Sequence, residues 1–167
     1  VLFNDITGRK EREQQVRHAF EANTFRLRLA DALGPLADPR AIQQTVTRLA
    51  RQHFAADRCF YCEVEGSRVV IRRDAASDGL PSVAGTYLLT NFAPMQAAIE
   101  AGQPFSVRDV RQDESVDESL RRLCVQLQII SYLNVPVIKN GQPVGVLCLV
   151  QSTPTNGLRS MWPWPPK

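Results

Sequence analysis

The 167-residue chain has no apolar run long enough to cross a bilayer. Its longest, such as Val144 to Val150, fall far short of the roughly 18 residues that a spanning helix needs. It does not open on a basic stretch followed by an apolar core, so nothing directs secretion and a cytoplasmic location without membrane insertion is expected. Lysine is scarce: only Lys10, Lys139 and Lys167 accompany 17 arginines, and the net charge is a mild +3. The whole excess sits in residues 1–56, with nine Lys/Arg against six Asp/Glu, and the other 111 residues balance at 11 to 11. No strongly basic face results, which argues against a nucleic-acid partner. The chain also lacks a Gly-rich phosphate loop, an HExxH and a GxSxG elbow. Its two histidines, His18 and His53, fall in helical patterns, where His18 reads as a solvated residue and His53 as a helix C-terminal residue favoured by the dipole. No enzyme chemistry is therefore expected.

What is present is an average globular composition, 44 % hydrophobic and 22 % charged, which excludes disorder or collagen-like structure for the chain as a whole. Four cysteines without an export signal suggest a reducing compartment. Cys59 and Cys62 form a CxxC, but they lie in a strand-like run whose residues three apart point to opposite faces, so a zinc site is not expected. Asp113, Glu114, Asp117 and Glu118 read as a solvated helix start rather than a metal site.

The patterning predicts helix, helix, strand, strand, helix, strand, helix, strand, strand. Residues 1–10 read as the end of a strand and the start of a helix capped by Asp5 or Thr7, and the helix runs to about Leu33 before Gly34-Pro35. Val16, Phe20, Asn23, Leu27 and Ala30 are spaced 4, 3, 4 and 3, a heptad seam that predicts a homodimer through this helix. Phe25, Leu29, Ala32, Leu33 and Leu36 form a second stripe suited to packing on the domain itself.

A second helix is predicted over Pro39–Phe54 with Asp38 as N-cap, then a hairpin of Arg58–Val64 and Arg68–Asp74. Residues 75–90 form a loop or irregular edge strand. Short elements follow at Pro94–Ala101 (helix), Phe105–Asp109 (strand) and Ser115–Gln126 (helix, with Ser115 and Glu118 as a capping box). Ile130–Ile138 and Pro143–Val150 form a closing hairpin around Asn140-Gly141. The expected class is α+β: a central, mainly antiparallel sheet of five to six strands with helices on both sides. Residues 153–167, with four prolines, are expected to be an irregular tail.

Two segments carry a family resemblance. Ser131 to Leu147, with Asn134-Val135-Pro136-Val137 turning at Gly141 and returning through Gly145-Val146-Leu147, resembles the closing hairpin of GAF domains, and Ala101-Gly102-Gln103-Pro104-Phe105 to Val110 resembles their helix–Gly–strand–Asp segment. Phe3-Asn4-Asp5-Ile6-Thr7 before a helix looks like the exit of a PAS domain. The resemblance divides the chain into a PAS-like end (1–10), a signalling helix (11–33), a GAF domain (34–152) and the tail. It implies a fragment of a bacterial multidomain sensor, similar to sensor histidine kinases or diguanylate cyclases, with other domains of the same protein as partners. The usual Pro-Arg-x-Trp and long helix after the last strand are replaced by Pro154-Thr155-Asn156-Gly157.

The resemblance also implies a ligand site between the sheet and the segment 85–127, with Tyr61, Arg72, Tyr87, Phe92, Met95, Asp109, Leu120, Cys124, Tyr132 and Asn134 as candidate lining residues. The bilin-anchoring cysteine of the family would fall near Glu118, and the neighbouring histidine is missing, so bilin is not expected. Haem is not expected either, because no His lies in that region. The Asn-Lys-x-Phe-Asp-Glu motif of cyclic-nucleotide-binding members does not occur. Two functions stay open: small-molecule sensing, or a purely structural relay through helix dimerisation.

Overall fold

The computed structural model describes residues 2–155, with side chains described from residue 8. Helix α1 (Leu2–Leu33) leads to α2 (Pro39–His53), strands β1 (Arg58–Glu65), β2 (Arg68–Ala76) and β3 (Gly85–Leu88), a 3-10 turn (Leu89–Asn91), α3 (Ala93–Ala101), β4 (Phe105–Val107), α4 (Glu118–Gln126), β5 (Ser131–Lys139) and β6 (Gln142–Gln151). The six strands form one sheet in the order β3-β2-β1-β6-β5-β4, and every pairing is antiparallel. The fold is thus the α+β arrangement that the pattern predicts. The tail expectation falls largely on residues 156–167, outside the described residues.

Local chemistry sets the boundaries. The Asp38 carboxylate accepts from the Arg40 and Ala41 N–H groups and starts α2, with Pro39 in the first turn. Asn140 (φ 52°) and Gly141 (φ 75°) both take the left-handed conformation of a two-residue hairpin turn, which joins β5 to β6.

Two helix starts differ from the sequence reading by three residues or more. Helix α1 already runs from Leu2, so the strand end expected there is absent and Asp5 and Thr7 lie within the helix. A strand needs a partner, and none of the six sheet strands pairs with this stretch, whereas a helix bonds its backbone locally. Helix α4 starts at Glu118, not Ser115: the Ser115 N–H and hydroxyl both donate to Asp113 Oδ1, while Asp117 caps the helix by accepting from the Leu120 N–H at 2.8 Å.

Alternation splits the sheet into two buried faces. Cys59 of β1 faces α2 with Leu133 and Leu149, against Ala50 and Phe54. Phe60 and Cys62 face the opposite side with Val146, Cys148 and Val150, under α3 and α4. Cys59 and Cys62 therefore point to opposite sides.

Helix α1 meets the domain through Phe25. Its ring stacks on His53 at 4.2 Å with an interplanar angle of 7° and meets Phe54 edge-on at 5.6 Å. Leu29, Ala32, Leu33 and Leu36 are half-buried with it, whereas Val16, Phe20 and Leu27 are 70 %, 71 % and 59 % exposed. The dipole expectation for His53 is corrected here. Burial under Phe25 first, and then the charge of Arg28, push its pKa below the usual 6.5, with Glu21 opposing.

A close approach explains the glycine of the closing hairpin. A methyl group on Gly145 would overlap the Tyr61 phenol ring and come within 2.5 Å of the Cys62 carbonyl oxygen. Gly145→Ala is expected to lower stability by about 1–3 kcal/mol, as overpacking does. Urea denaturation measures this, and an unchanged midpoint would show that the Tyr61 contact gives way freely.

His53 generates a second prediction. The unfolded imidazole takes its proton near 6.5 and the folded one at lower pH, so the unfolded chain binds more protons between these values. The stability tied to neutral His53 is present above about pH 6.5 and is lost as pH falls through the folded value. His53→Phe keeps a ring against Phe25 and should flatten the fall in melting temperature between about pH 7.5 and pH 5.5. An identical fall in the variant would assign the pH dependence to other groups.

Candidate ligand cavity

The side of the sheet under α3 and α4 holds a cavity of about 60 Å³. Its floor comes from alternate residues of the central strands: Phe60 and Cys62 of β1, Val69 and Ile71 of β2, Tyr132 and Asn134 of β5, and Val150 of β6. Its roof is Met95 of α3, Leu120, Leu123 and Cys124 of α4, and the connecting residues Val83, Phe92, Leu127 and Ile129. The lining is almost entirely apolar, with Tyr87, Tyr132 and Asn134 as polar handles, the composition of a small-molecule site.

The sequence candidates divide into three groups. Tyr87, Phe92, Met95, Leu120, Cys124, Tyr132 and Asn134 line this cavity together. Tyr61 and Arg72 do not: each is one residue out of phase with the cavity-facing residues of its strand, so both line an open polar groove on the α2 side, with Arg40, Gln43 and Thr47. Arg72 is committed there to an ion pair with Glu63 at 2.7 Å, and Gln43 Nε2 donates to the same carboxylate at 2.8 Å. That pairing holds the Glu63 carboxyl below its ordinary value. Asp109 belongs to neither site. Arg111 grips its carboxylate at 2.7 Å and 2.8 Å, which pulls its pKa down.

The sequence reading missed Phe60, Cys62, Val69, Ile71, Val83 and Val150, and also Pro94, Leu123, Leu127 and Ile129, as lining residues. For the strand residues the signal was present: once Phe60 faces the cavity, period-two alternation assigns Cys62 to it and Tyr61 away from it.

Cys124 and Cys148 stay protonated at neutral pH. Burial pushes Cys124 up to about 12, helped by Asp117, and raises Cys148 well above the usual thiol value, with Cys62 Sγ 3.8 Å from its own. Burial likewise raises the Tyr132 phenol, which stays protonated as a hydrogen-bond donor. Among the described residues, no three His, Cys, Asp or Glu side chains converge on a metal position. No helix there is long and apolar enough to cross a membrane.

Several solved structures share this fold at low identity. The phycocyanobilin-bound GAF domain from a cyanobacterial phytochrome superimposes with a TM-score of 0.70 at 14 % identity, covering 84 % of this chain and 87 % of that one. The blue-light absorbing form of the Thermosynechococcus elongatus PixJ GAF domain gives 0.63 at 17 % identity over 72 % and 76 %. The GAF domain from Acinetobacter phosphoenolpyruvate-protein phosphotransferase gives 0.65 at 12 % identity over 85 % of each chain. No curated protein sequence matches.

The expectation that excluded bilin is corrected by this result. It rested on one anchoring position near Glu118 and a missing histidine, yet bilin-bound domains stand among the structures that share the fold. The family model for the GAF domain matches residues 38–166, more than half of the sequence, and the chain belongs to the GAF domain family, whose members are sensory, ligand-binding modules.

Proposed function

We propose that this chain is a non-enzymatic sensory module of a cytoplasmic bacterial signalling protein, preceded by a PAS domain, that takes a small, mainly apolar molecule into the cavity under α3 and α4. The observation that carries the reading is the apolar cavity with a few polar handles between the sheet and α3 and α4, in a family of ligand-binding modules. The similar bilin-bound structures add open-chain tetrapyrroles to the candidate ligands. A bilin needs the cavity to widen from about 60 Å³ toward the roughly 300–1,000 Å³ that drug-sized ligands occupy, by outward movement of α3 and the segment before it.

A ligand that binds only the folded chain raises its melting temperature. At 100 times its dissociation constant the gain is about 2.7 kcal/mol. Thermal-shift screening with small aromatics, purine metabolites and biliverdin should therefore find at least one stabiliser, and Cys124→Phe, which fills the roof, should abolish its effect. A flat response across the panel, or a shift that survives in Cys124→Phe, would count against this cavity as the site.

A second reading, a structural relay with no ligand, is favoured by the exposed apolar seam of α1. Val16, Phe20 and Leu27 have large apolar surface facing water, which a second copy of the same helix would cover. Analytical ultracentrifugation should then show a dimer. Phe20→Asp should weaken it by roughly a hundredfold or more, because two copies each lose a Phe whose burial is worth about 1.5–3 kcal/mol. An undiminished dimer in that variant would place the interface elsewhere.

A further inference from the structure

The Arg58–Asp74 pair lies on the cavity side of the sheet, yet neither residue is among those that line the cavity. Arg58 opens β1, and the cavity-lining Phe60 is the next residue on the same face. Val150, its partner across the β1–β6 pairing, also lines the cavity, and Asp74 is paired with Phe60 from β2. The guanidinium is completely buried, at 0 % exposure. Its Nη2 donates to the Pro81 carbonyl at 2.6 Å, and its Nε lies 3.5 Å from Asp74 Oδ2. The other carboxylate oxygen, Oδ1, accepts from the Ser82 hydroxyl at 2.8 Å.

Three buried polar atoms are left without a hydrogen-bond partner among the described residues: Arg58 Nε, Arg58 Nη1 and Asp74 Oδ2. Buried donors and acceptors are nearly always paired. A half-satisfied buried ion pair is less stable than an apolar replacement of similar volume, so its presence calls for a partner group.

The chemistry of that partner follows from the charges. Arg58 and Asp74 already neutralise each other. An added carboxylate would face Asp74 with net negative charge, and an added cation would face Arg58. A hydrocarbon would leave all three atoms unmatched. A neutral group whose oxygen accepts from both Nε–H and Nη1–H and which donates to Oδ2 meets every requirement, and a hydroxyl or a carboxamide is such a group.

The path from the cavity is short in sequence and in space. Val83, two residues beyond the Pro81 that Arg58 holds, lines the cavity. Tyr87 lines it as well, donates its hydroxyl to the Val83 carbonyl at 2.9 Å, and lies close enough to feel the charges of both Asp74 and Arg58. Val83 and Tyr87 are therefore the partition between the apolar chamber and the polar pair.

We propose that Arg58 and Asp74 form a specificity site at the end of the cavity, which accepts the hydroxyl or carboxamide end of an otherwise apolar ligand past Val83. The site selects neutral hydrogen-bonding molecules over both hydrocarbons and acids. This inference rests on the cavity taking a small molecule at all.

Isothermal titration of the full chain with four probes of one ring size tests it: phenol, benzamide, toluene and benzoate. Phenol or benzamide should bind at least about tenfold more tightly than toluene and benzoate, a difference of about 1.4 kcal/mol. The double variant Arg58→Met/Asp74→Leu removes both charges together, so neither is left buried alone. It should keep toluene binding and lose the preference. If toluene binds the unaltered chain as tightly as phenol and benzamide, or benzoate does, the specificity site is refuted while the cavity reading stands. A preference that persists in the double variant refutes it too. If none of the four binds, the specificity site is refuted, and the cavity reading is decided separately by the thermal-shift panel. The comparison on the unaltered chain decides the matter even if the double variant does not fold.

Discussion

The pairing of β1 with β6 at the centre of the sheet is the constraint on which the rest depends. It joins the first strand of the domain to the last, Arg58 opposite Val150 through Glu63 opposite Gly145, and so closes the chain on itself. Because alternate side chains leave opposite faces, this one ladder fixes two cores at once. Phe60, Cys62, Val146, Cys148 and Val150 go to the cavity side, and Cys59, Leu147 and Leu149 to the helix side. A slip of one residue would exchange the two sets and bury the charge of Glu63 under α4. The glycine at 145 is part of the same constraint, since β6 can run against β1 only where the Tyr61 ring and the Cys62 carbonyl meet no side chain.

The architecture was legible in the sequence wherever one local signal was enough. Asp38-Pro39 marks a helix start, Asn140-Gly141 marks a hairpin, and Gly102 (φ 61°) closes α3. The signals that failed were those that depend on competition or on distance. Ser115 looked like a cap, but Asp113 engages it first and leaves the role to Asp117. His53 looked like a residue favoured as a cation by a helix end, but Phe25, 28 positions earlier in the sequence, stacks on it and removes water. Local reading sees the dipole and not the ring that arrives from another helix.

The cavity shows the same division more sharply. Its roof residues, Phe92, Met95, Leu120 and Cys124, were found because they lie in the segment that the family resemblance points to. Tyr61 and Arg72 were placed wrongly because their types suit a polar handle, although the phase of their strands sends them to the other face. Phase is the stronger constraint, because a side chain cannot cross its own sheet. The Arg58–Asp74 pair was out of reach for another reason. Its members are 16 residues apart on strands whose register shifts between Phe60 and Cys62, and only the folded register brings them together.

The two faces are mechanically one object at β1. Phe60 and Cys62 bound the cavity, and Cys59, between Arg58 and Phe60, packs with Ala50 and Phe54. Phe54 in turn meets the Phe25 ring of α1 edge-on. Close-packed interiors do not absorb displacement locally, so a ligand that shifts the β1 backbone from the cavity side must also move the Cys59–Phe54 contact on the other side. Phe25 and its stripe are the attachment of α1 to the domain, and the exposed seam of Val16, Phe20 and Leu27 is carried on the same helix. A change in how Phe25 sits therefore changes the angle at which that seam is presented. The route needs only contacts that are already in place: cavity, β1 backbone, α2 terminus, α1. A charged, hydrated side chain at position 53 would disrupt the Phe25 stack that helps to hold α1 on the domain, and the burial that lowers the pKa of His53 opposes that charge.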